Sequence, residues 1–342
     1  MSSGEPTVKE LAWSVASELL EANHFVTIED QSSREIFRYD AGVYAPDGEA
    51  YIKQKVQENF EVKEDVSTHL VNEVAGHVER STIKPRSIFD ETNPHLVLQN
   101  GLLNLSSLEL EPFTPDYYAL NKLPVAFDPS KGCPGPVFQK FITEILPSHD
   151  IQGVQEELGA ILRKKYLTKK FSIYLGDTDT GKTTLISVFT ALLGQESVSS
   201  VSIQDLASKN PFFLAQLYGK MANIRDDVSK DIVYSVGKIK ELTGGYRVNA
   251  QKKHRDPFDF YNYAYLLFTC NTLPPIEEDD AAFFNRVMLR YFTNRFGGRE
   301  GPDRDLVSKL TTPDELSGVL NWGIEGLKRL QANGWNFTNT ST

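Results

Sequence analysis

The residues Gly176, Asp177, Thr178, Asp179, Thr180, Gly181, Lys182 and Thr183 follow the pattern G-x-x-x-x-G-K-[S/T]. Glycines at these places let backbone amides turn inward around phosphate oxygens. The lysine reaches the outer phosphates, and the threonine hydroxyl is a ligand for Mg2+. A helix that starts at the lysine adds the partial positive charge of its N-terminus. The expected nucleotide contacts therefore run from Gly176 through Thr184, and the expected cofactors are ATP and Mg2+. Asp177 and Asp179 are unusual here, because like charges repel. They are tolerable if they face away from the phosphates, and Asp179 is a candidate to brace the loop through its own backbone.

A nucleotide site of this kind needs an acid for the metal and a group that positions water. The run MANIRDD ends in Asp226-Asp227, and a carboxylate at a strand end beside the loop can hold Mg2+ while its neighbour orients the attacking water. Which of the two holds the metal is open, with Thr183 and Asp226 the first choice; solvated acids at a helix start are the plainer alternative. Asn271 closes YLLFTCN and can position water without adding charge, although an Asn before Thr-Leu-Pro-Pro also suits a turn. Arg286, in FFNRVMLRYF, is the candidate arginine supplied across a subunit interface to stabilise transition-state charge, with Arg290 as its competitor. The expected catalytic set is Lys182, Asp226, Asp227, Asn271 and Arg286.

These residues need elements to hold them. FSIYL before the loop reads as a strand, and TTLISVFTALLG after it as a helix closed by Gly194. A strand over 220–227, a helix near 231–242, a hairpin around 245–259 and a strand over 263–271 follow. Strands alternating with helices predict a parallel sheet flanked by helices, an α/β fold. Upstream, residues 7–22 have helical apolar spacing. FVTIED and EIFRYDAGVY read as short strands with a turn at Asp40-Ala41-Gly42, and helices are predicted near 49–60 and 67–80. HLVLQNGLLNL is predicted to be a hairpin turning on Asn100-Gly101, a type I′ pair. The Pro- and Gly-rich stretch 111–136 is a connector. Helices follow over 136–146 and 150–165, and residues 303–332 are helical.

Composition narrows the classes. There is no run of ~18 apolar residues, so no spanning helix is expected, and MSSGEPTVKE has no secretory pattern. Cys133 and Cys270 form no metal-binding pattern and suit a reduced, intracellular compartment. The formal net charge is -10, and it is uneven: residues 1–80 hold 16 Asp/Glu against 7 Lys/Arg, and the remaining 262 residues hold 30 against 29. The acidic front disfavours DNA contact there, while placed Lys/Arg decide it elsewhere. The basic run ILRKKYLTKK reads equally as a solvated helix face or as a contact to DNA or a neighbouring subunit. The ending WNFTNTST reads as the cut end of a longer chain.

In order, GxxxxGKTT, a strand ending in two acids, LTGG followed by a basic hairpin, a strand ending in Asn, and an arginine resemble superfamily 3 helicases. The likeness is strongest to the helicase half of phage, plasmid and poxvirus-type primase–helicases. NGLLNL, CPGPVFQKFITEIL and VQEELGAIL resemble the segment before the ATPase, and LNWGIEGLKRL the segment after it, so the likeness spans about residues 90–335. The resemblance implies an AAA+ ATPase that works as a homo-hexameric ring, hydrolyses ATP between subunits and draws single-stranded or forked DNA through its channel. A primase or polymerase is an implied partner, and the setting is a prokaryotic cytoplasm or a viral replication site. In papillomavirus and polyomavirus members a Lys-His pair on a hairpin grips the DNA backbone; here VNAQKKHRDP places Lys252, Lys253 and His254 at that point. Lys240 matches a recurring family lysine expected to reach nucleotide or a neighbour. Two departures stand out: LTGGY has Tyr246 where phage relatives often have Asp, and nothing resembles a primase catalytic half, so no primer synthesis is expected.

The expected organisation is an acidic α+β region (1–90), a hairpin, connector and collar-like helical segment (91–165), a P-loop AAA+ domain (166–300) and a C-terminal helical segment (301–342). The competing functions are a nucleotide-switched initiator or loader module and a P-loop phosphotransferase.

Overall fold

The computed structural model describes residues 6–30, 33–58, 67–90, 94–295 and 303–338. The expected boundary at 300/301, and the last four residues of WNFTNTST, lie outside them. The chain divides into two compact units, one of Met1–Glu91 with Phe113–Leu120, the other of Thr92–Pro112 with Asn121–Thr342.

In the first unit, α1 (Val8–Ala22) opens with a capping box. The Thr7 hydroxyl accepts from the Glu10 amide at 3.3 Å, and the Glu10 carboxylate accepts from the Thr7 amide at 2.8 Å. Strands β1 (Phe25–Asp30), β2 (Ser33–Asp40) and β3 (Val43–Ala45) form a meander. The β2–β3 turn falls on Ala41 and Gly42, at φ 44° and 104°, as the Asp-Ala-Gly run predicts. After α2 (Gly48–Glu58) and α3 (Thr68–Ser81), β4 (Ile83–Lys84) pairs in parallel with β1, giving the order β3-β2-β1-β4. Ala12, Val15, Leu19, Ile52, Val56, Leu70, Val74 and Val78 line the core between the helices and the sheet. Tyr44 donates to the Pro115 carbonyl at 2.7 Å, tying residues 113–120 to this unit.

The second unit begins with the antiparallel strands β5 (His95–Leu98), β6 (Gly101–Asn104) and β7 (Leu110–Glu111). The hairpin forms as predicted, but its turn does not. Leu98 pairs with Gly101, so the two turn residues are Gln99 and Asn100. Asn100 is committed elsewhere: its side-chain amide donates to the Phe127 carbonyl at 2.9 Å and its oxygen accepts from the Phe127 amide at 3.0 Å, a clamp on the connector.

Helices α4 (Pro136–Ile145) and α5 (Ser148–Leu162) lead into β8 (Phe171–Gly176) and α6 (Lys182–Leu193). Then come β9 (Val198–Ser199), the short helices α7 (Ile203–Ala207) and α8 (Pro211–Ala215), β10 (Ala222–Arg225), and α9 (Gly237–Thr243). The hairpin β11 (Arg247–Gln251) and β12 (Pro257–Tyr261) precedes β13 (Tyr265–Cys270), α10 (Ala281–Phe284) and β14 (Val287–Phe292), and α11 (Leu306–Leu310) and α12 (Pro313–Ala332) follow. Helix α9 is shorter than the predicted 231–242. Residues 231–236 stay out of the helix: the β-branched Val233 is bridged to Ile276, and the Val236 amide is held by the Glu278 carboxylate at 3.0 Å.

Strands β14-β8-β13-β10-β9 form one sheet in that order, and every neighbouring pair is parallel. This is an α/β fold. Strand β13 is buried along its whole length, which explains its continuous apolar reading. Because β8, β13 and β10 are parallel neighbours, their C-terminal ends, and the loops beyond them, meet at one edge of the sheet.

One core runs from Leu96 to Leu330 and joins residues on both sides of the expected 165/166 division. Helices α5 and α12 touch almost backbone to backbone. A β-carbon on Gly159 would stand 2.3 Å from the Leu327 nitrogen, and one on Gly326 would stand 2.1 Å from the Gln155 oxygen. The N-terminus of α4 has no side-chain cap of its own; Glu315 of α12 supplies it, accepting from the Val137 and Phe138 amides at 3.2 and 3.0 Å. Among the described residues no helix is long and apolar enough to cross a membrane.

Gly159→Ala and Gly326→Ala should each destabilise the protein by about 1–3 kcal/mol through overpacking. Urea unfolding reads this as a lower midpoint at unchanged slope.

Candidate functional site

The loop between β8 and α6 is a closed turn around the Lys182 ammonium. Lys182 Nζ donates to the carbonyls of Gly176 and Asp177, both at 2.7 Å, and to the Thr180 hydroxyl at 3.1 Å; Asn271 Oδ1 stands at 3.4 Å. Burial pulls the lysine's pKa down from its ordinary value, against the attraction of Asp226, Asp177 and Asp227. Thr180 is buried and ties the loop by donating to the Asp177 carbonyl at 2.9 Å. Gly181 caps α6 at φ 87°, a left-handed conformation, and a β-carbon there would lie 2.5 Å from Ile145 Cγ2. No residue but glycine fits both demands.

Asp177, Thr178 and Asp179 are exposed. Asp177 pairs with Arg295, just beyond β14. Asp179 contributes through its backbone conformation, at φ 60°, which Asp tolerates better than most residues.

Thr183 donates to Asp226 Oδ2 at 2.9 Å. The other oxygen of Asp226 accepts from the Thr269 hydroxyl and from the Asp227 amide, the latter at 3.0 Å. Thr269 also accepts from the Asp227 amide at 3.1 Å. Asp226 is thus aimed by a buried threonine one strand away, and Asp227, at φ 49°, is turned outward and exposed. Cys270, between Thr269 and Asn271, is buried, and burial pushes its thiol pKa up to about 11, so it is no nucleophile.

Lys182, Thr183, Asp226 and Asn271 therefore converge at the C-terminal ends of β8, β10 and β13. The donor set suits the expected cofactors. One hydroxyl and one carboxylate, both oxygen ligands, match a Mg2+ ion that takes its remaining ligands from phosphate and water. The lysine's carbonyl partners mark where phosphate oxygens would compete for its protons.

Arg286 is not among this group. Its carbonyl accepts from the Phe171 amide at 2.9 Å, at the start of β8, while the loop lies at the far end of that strand, about 17 Å away. Arg286 is half-buried and donates through Nη1 to the Ala282 carbonyl at 2.6 Å. It cannot reach the loop of its own chain. Arg290, the competing candidate, is 1% exposed and bonded to Glu157 at 2.8 Å and Asp150 at 2.9 Å. Burial works against its charge, but the two carboxylates more than offset this and push its pKa up. It is committed inside the fold.

The basic cluster sits at the tip of the β11–β12 hairpin. Val248, Ala250, Phe258 and Phe260 face the core in strict alternation, and Lys253, His254 and Arg255 are exposed at the turn, with His254 at φ 60°. The turn is closed by the Arg255 amide donating to the Lys252 carbonyl at 3.0 Å. Lys240 pairs with Asp280, which caps α10, so it is anchored within this chain; the hydrogen bond from Lys240 holds that carboxyl below its ordinary pKa.

Residues 174–286 match a family model described only as a family of unknown function, DUF5906, and residues 69–147 match one described as D5 N terminal like. A 226-residue stretch is 24% identical to "Putative helicase 184R" of Invertebrate iridescent virus 6, covering 60% of this chain and 23% of that protein. The chain thus spans about a quarter of that relative's length. Among solved structures, the apo C-terminal region of NrS-1 superposes at a TM-score of 0.59, with 14% identity, over 95% of this chain and 71% of that one. A second structure of that region gives 0.60 at 13% identity, over 90% and 67%.

The chain resembles the phage and viral primase–helicases. The first match begins within β8 and ends at Arg286, so it takes in the phosphate loop from Gly176, both acids, the hairpin tip, Asn271 and Arg286. The likeness to NrS-1 shows a shared fold. Two contributors escaped the sequence reading. Thr269 was signalled only as a lone polar residue in an apolar strand, and Arg295 had no local signal at all.

Arg290→Ala should cost about 3–5 kcal/mol, because it strands two buried carboxylates, while Arg286→Ala should leave the urea midpoint near wild type.

Proposed function

We propose that this chain is the ATP-hydrolysing motor of a superfamily 3 replication helicase, an AAA+ P-loop enzyme that assembles as a ring, a hexamer by resemblance, on single-stranded or forked DNA. The observation that carries the reading is the convergence of Lys182, Thr183, Asp226 and Asn271 at adjacent ends of parallel strands. Lys182 binds the outer phosphates. Thr183 and Asp226 hold Mg2+, which when bound neutralises charge on the phosphate oxygens. Asn271 orients the attacking water, while Asp227, turned to solvent, stands outside the group. Arg286, out of reach of its own loop, serves the loop of a neighbouring copy. The hairpin tip, with Lys252 and the exposed Lys253 and His254, holds backbone phosphates without reading sequence. The match to a viral protein described as a helicase and the fold shared with NrS-1 support this reading, and a primase or polymerase partner belongs to it.

ATP hydrolysis by protein of known oligomeric state should rise several-fold with single-stranded DNA, and Lys182→Ala should abolish it. Changing both Lys253 and His254 to Ala should remove the DNA-stimulated increment and strand displacement, and should flatten the salt dependence of DNA binding. Hydrolysis indifferent to DNA would favour a phosphotransferase, and nucleotide-driven assembly without turnover an initiator or loader module.

Arg286→Ala should lower kcat by about 10³-fold or more. Mixing it with Lys182→Ala protein should restore activity, because hybrid interfaces pair an intact loop with an intact arginine. Failure of the mixture to recover would place Arg286 outside the site.

A further inference from the structure

Two acids in a phosphate loop pose a physical problem, and the structure offers a partner for one of them. Phe292 pairs with Gly176 at the ends of β14 and β8, so the residues after Phe292 leave the sheet beside the residues after Gly176. Asn294 donates to the Glu144 carbonyl at 2.6 Å, holding this exit against the end of α4. The next residue, Arg295, reaches back to the Asp177 carboxylate. The side chains of Arg295 and Asp177 are 68% and 62% exposed. An ion pair that open to water contributes little to stability and exchanges readily. A guanidinium also binds phosphate oxygens in a planar fork, so a polyphosphate competes well for it.

We infer that Arg295 is a phosphate-binding residue of this loop and that Asp177 competes with the polyphosphate for its guanidinium, lowering the affinity for nucleotide. The inference rests on the phosphate-loop reading above and names a further residue for it. Arg295 belongs to the same chain as Lys182 and leaves the sheet at the loop end, so it acts in cis, unlike Arg286 at the opposite end of β14. Binding exchanges one ion pair for another: the guanidinium leaves the carboxylate for a phosphate oxygen, and Asp177 is left to water. The rule also explains why an acid is tolerated at the second position of the loop. Its charge is directed at an arginine that the nucleotide then shares.

The test is calorimetric titration of the full chain with Mg–ATP and Mg–ADP. Arg295→Ala should weaken both by about tenfold, the loss of one charge-assisted hydrogen bond. Asp177→Asn should tighten both by about threefold to tenfold, a gain that a merely structural pair would not produce, and most of that gain should vanish in the Arg295→Ala background. Thermal unfolding should leave each variant near wild type, since the pair is exposed. Unchanged affinity in Arg295→Ala, while Lys182→Ala loses binding, would overturn the inference and leave the phosphate loop standing. An Asp177→Asn gain of equal size with and without Arg295 would overturn the exchange. Wild-type binding by Lys182→Ala would bring down the loop reading and this inference with it.

Discussion

The second unit is organised around a buried charge that must be satisfied. Arg290 stands inside the protein with carboxylates from two turns of α5, Asp150 and Glu157, and Tyr174 of β8 donates to the second oxygen of Glu157 at 2.7 Å. Burial and the neighbouring Glu157 keep the Tyr174 phenol protonated, so it remains a donor. Desolvating three charges is costly, and each compensates the others only at close range and in fixed geometry. The network therefore holds α5, β8 and β14 in one register. The loop leaves β8 two residues beyond Tyr174, and Arg295 leaves β14 five residues beyond Arg290. Helix α12 closes the assembly by packing on α5 through glycine contacts and by capping α4 with Glu315.

On that frame the site is built from strand ends rather than from a single segment. Each of three neighbouring parallel strands delivers one group: β8 the loop, β10 Asp226, and β13 Thr269 followed by Asn271. Thr269 donates to Asp226 and receives the Asp227 amide, fixing the direction of the first acid beside the second. One turns toward Thr183 and the other toward solvent. The different directions of these adjacent, chemically identical residues come from this hydroxyl, from Thr183 and from the positive φ of Asp227. Charge is distributed with the same economy. Arg290 of β14 and Arg286, just before that strand, lie four residues apart, one sealed among carboxylates and one at the far end of the sheet from the loop, and their placement decides what each can do.

Much of this was legible in the chain. The Gly-Lys-Thr run, the Asp-Asp pair and the strand-terminal Asn carry their chemistry in residue type and spacing, and apolar continuity in FSIYL and YLLFTC predicts buried parallel strands. The capping box of α1, the Ala41-Gly42 turn and the alternating face of the β11–β12 hairpin follow from local stereochemistry. Local rules failed where a distant group intervened. Asn100-Gly101 looks like a type I′ turn, but Asn100 bonds to Phe127 and the turn moves back one residue. The 231–242 helix loses its first half to a bridge with Ile276 and a carboxylate from Glu278. Lys240, expected by resemblance to reach nucleotide or a neighbour, pairs with Asp280 of its own chain.

Most of the elements, the glycine-lysine-threonine motif and the order of the polar residues after it can be read from the chain alone, because they depend on periodicity, backbone conformation and side-chain chemistry over a few neighbouring positions. Which of those residues meet is set by the packed fold. The strand order β14-β8-β13-β10-β9 brings together positions almost ninety residues apart, and strand pairing is a non-local choice with no local signature. It also decided that Arg290 is sealed, that Arg286 lies a strand's length from its own loop, and that Arg295 reaches Asp177. Reach and burial are properties of the packed chain.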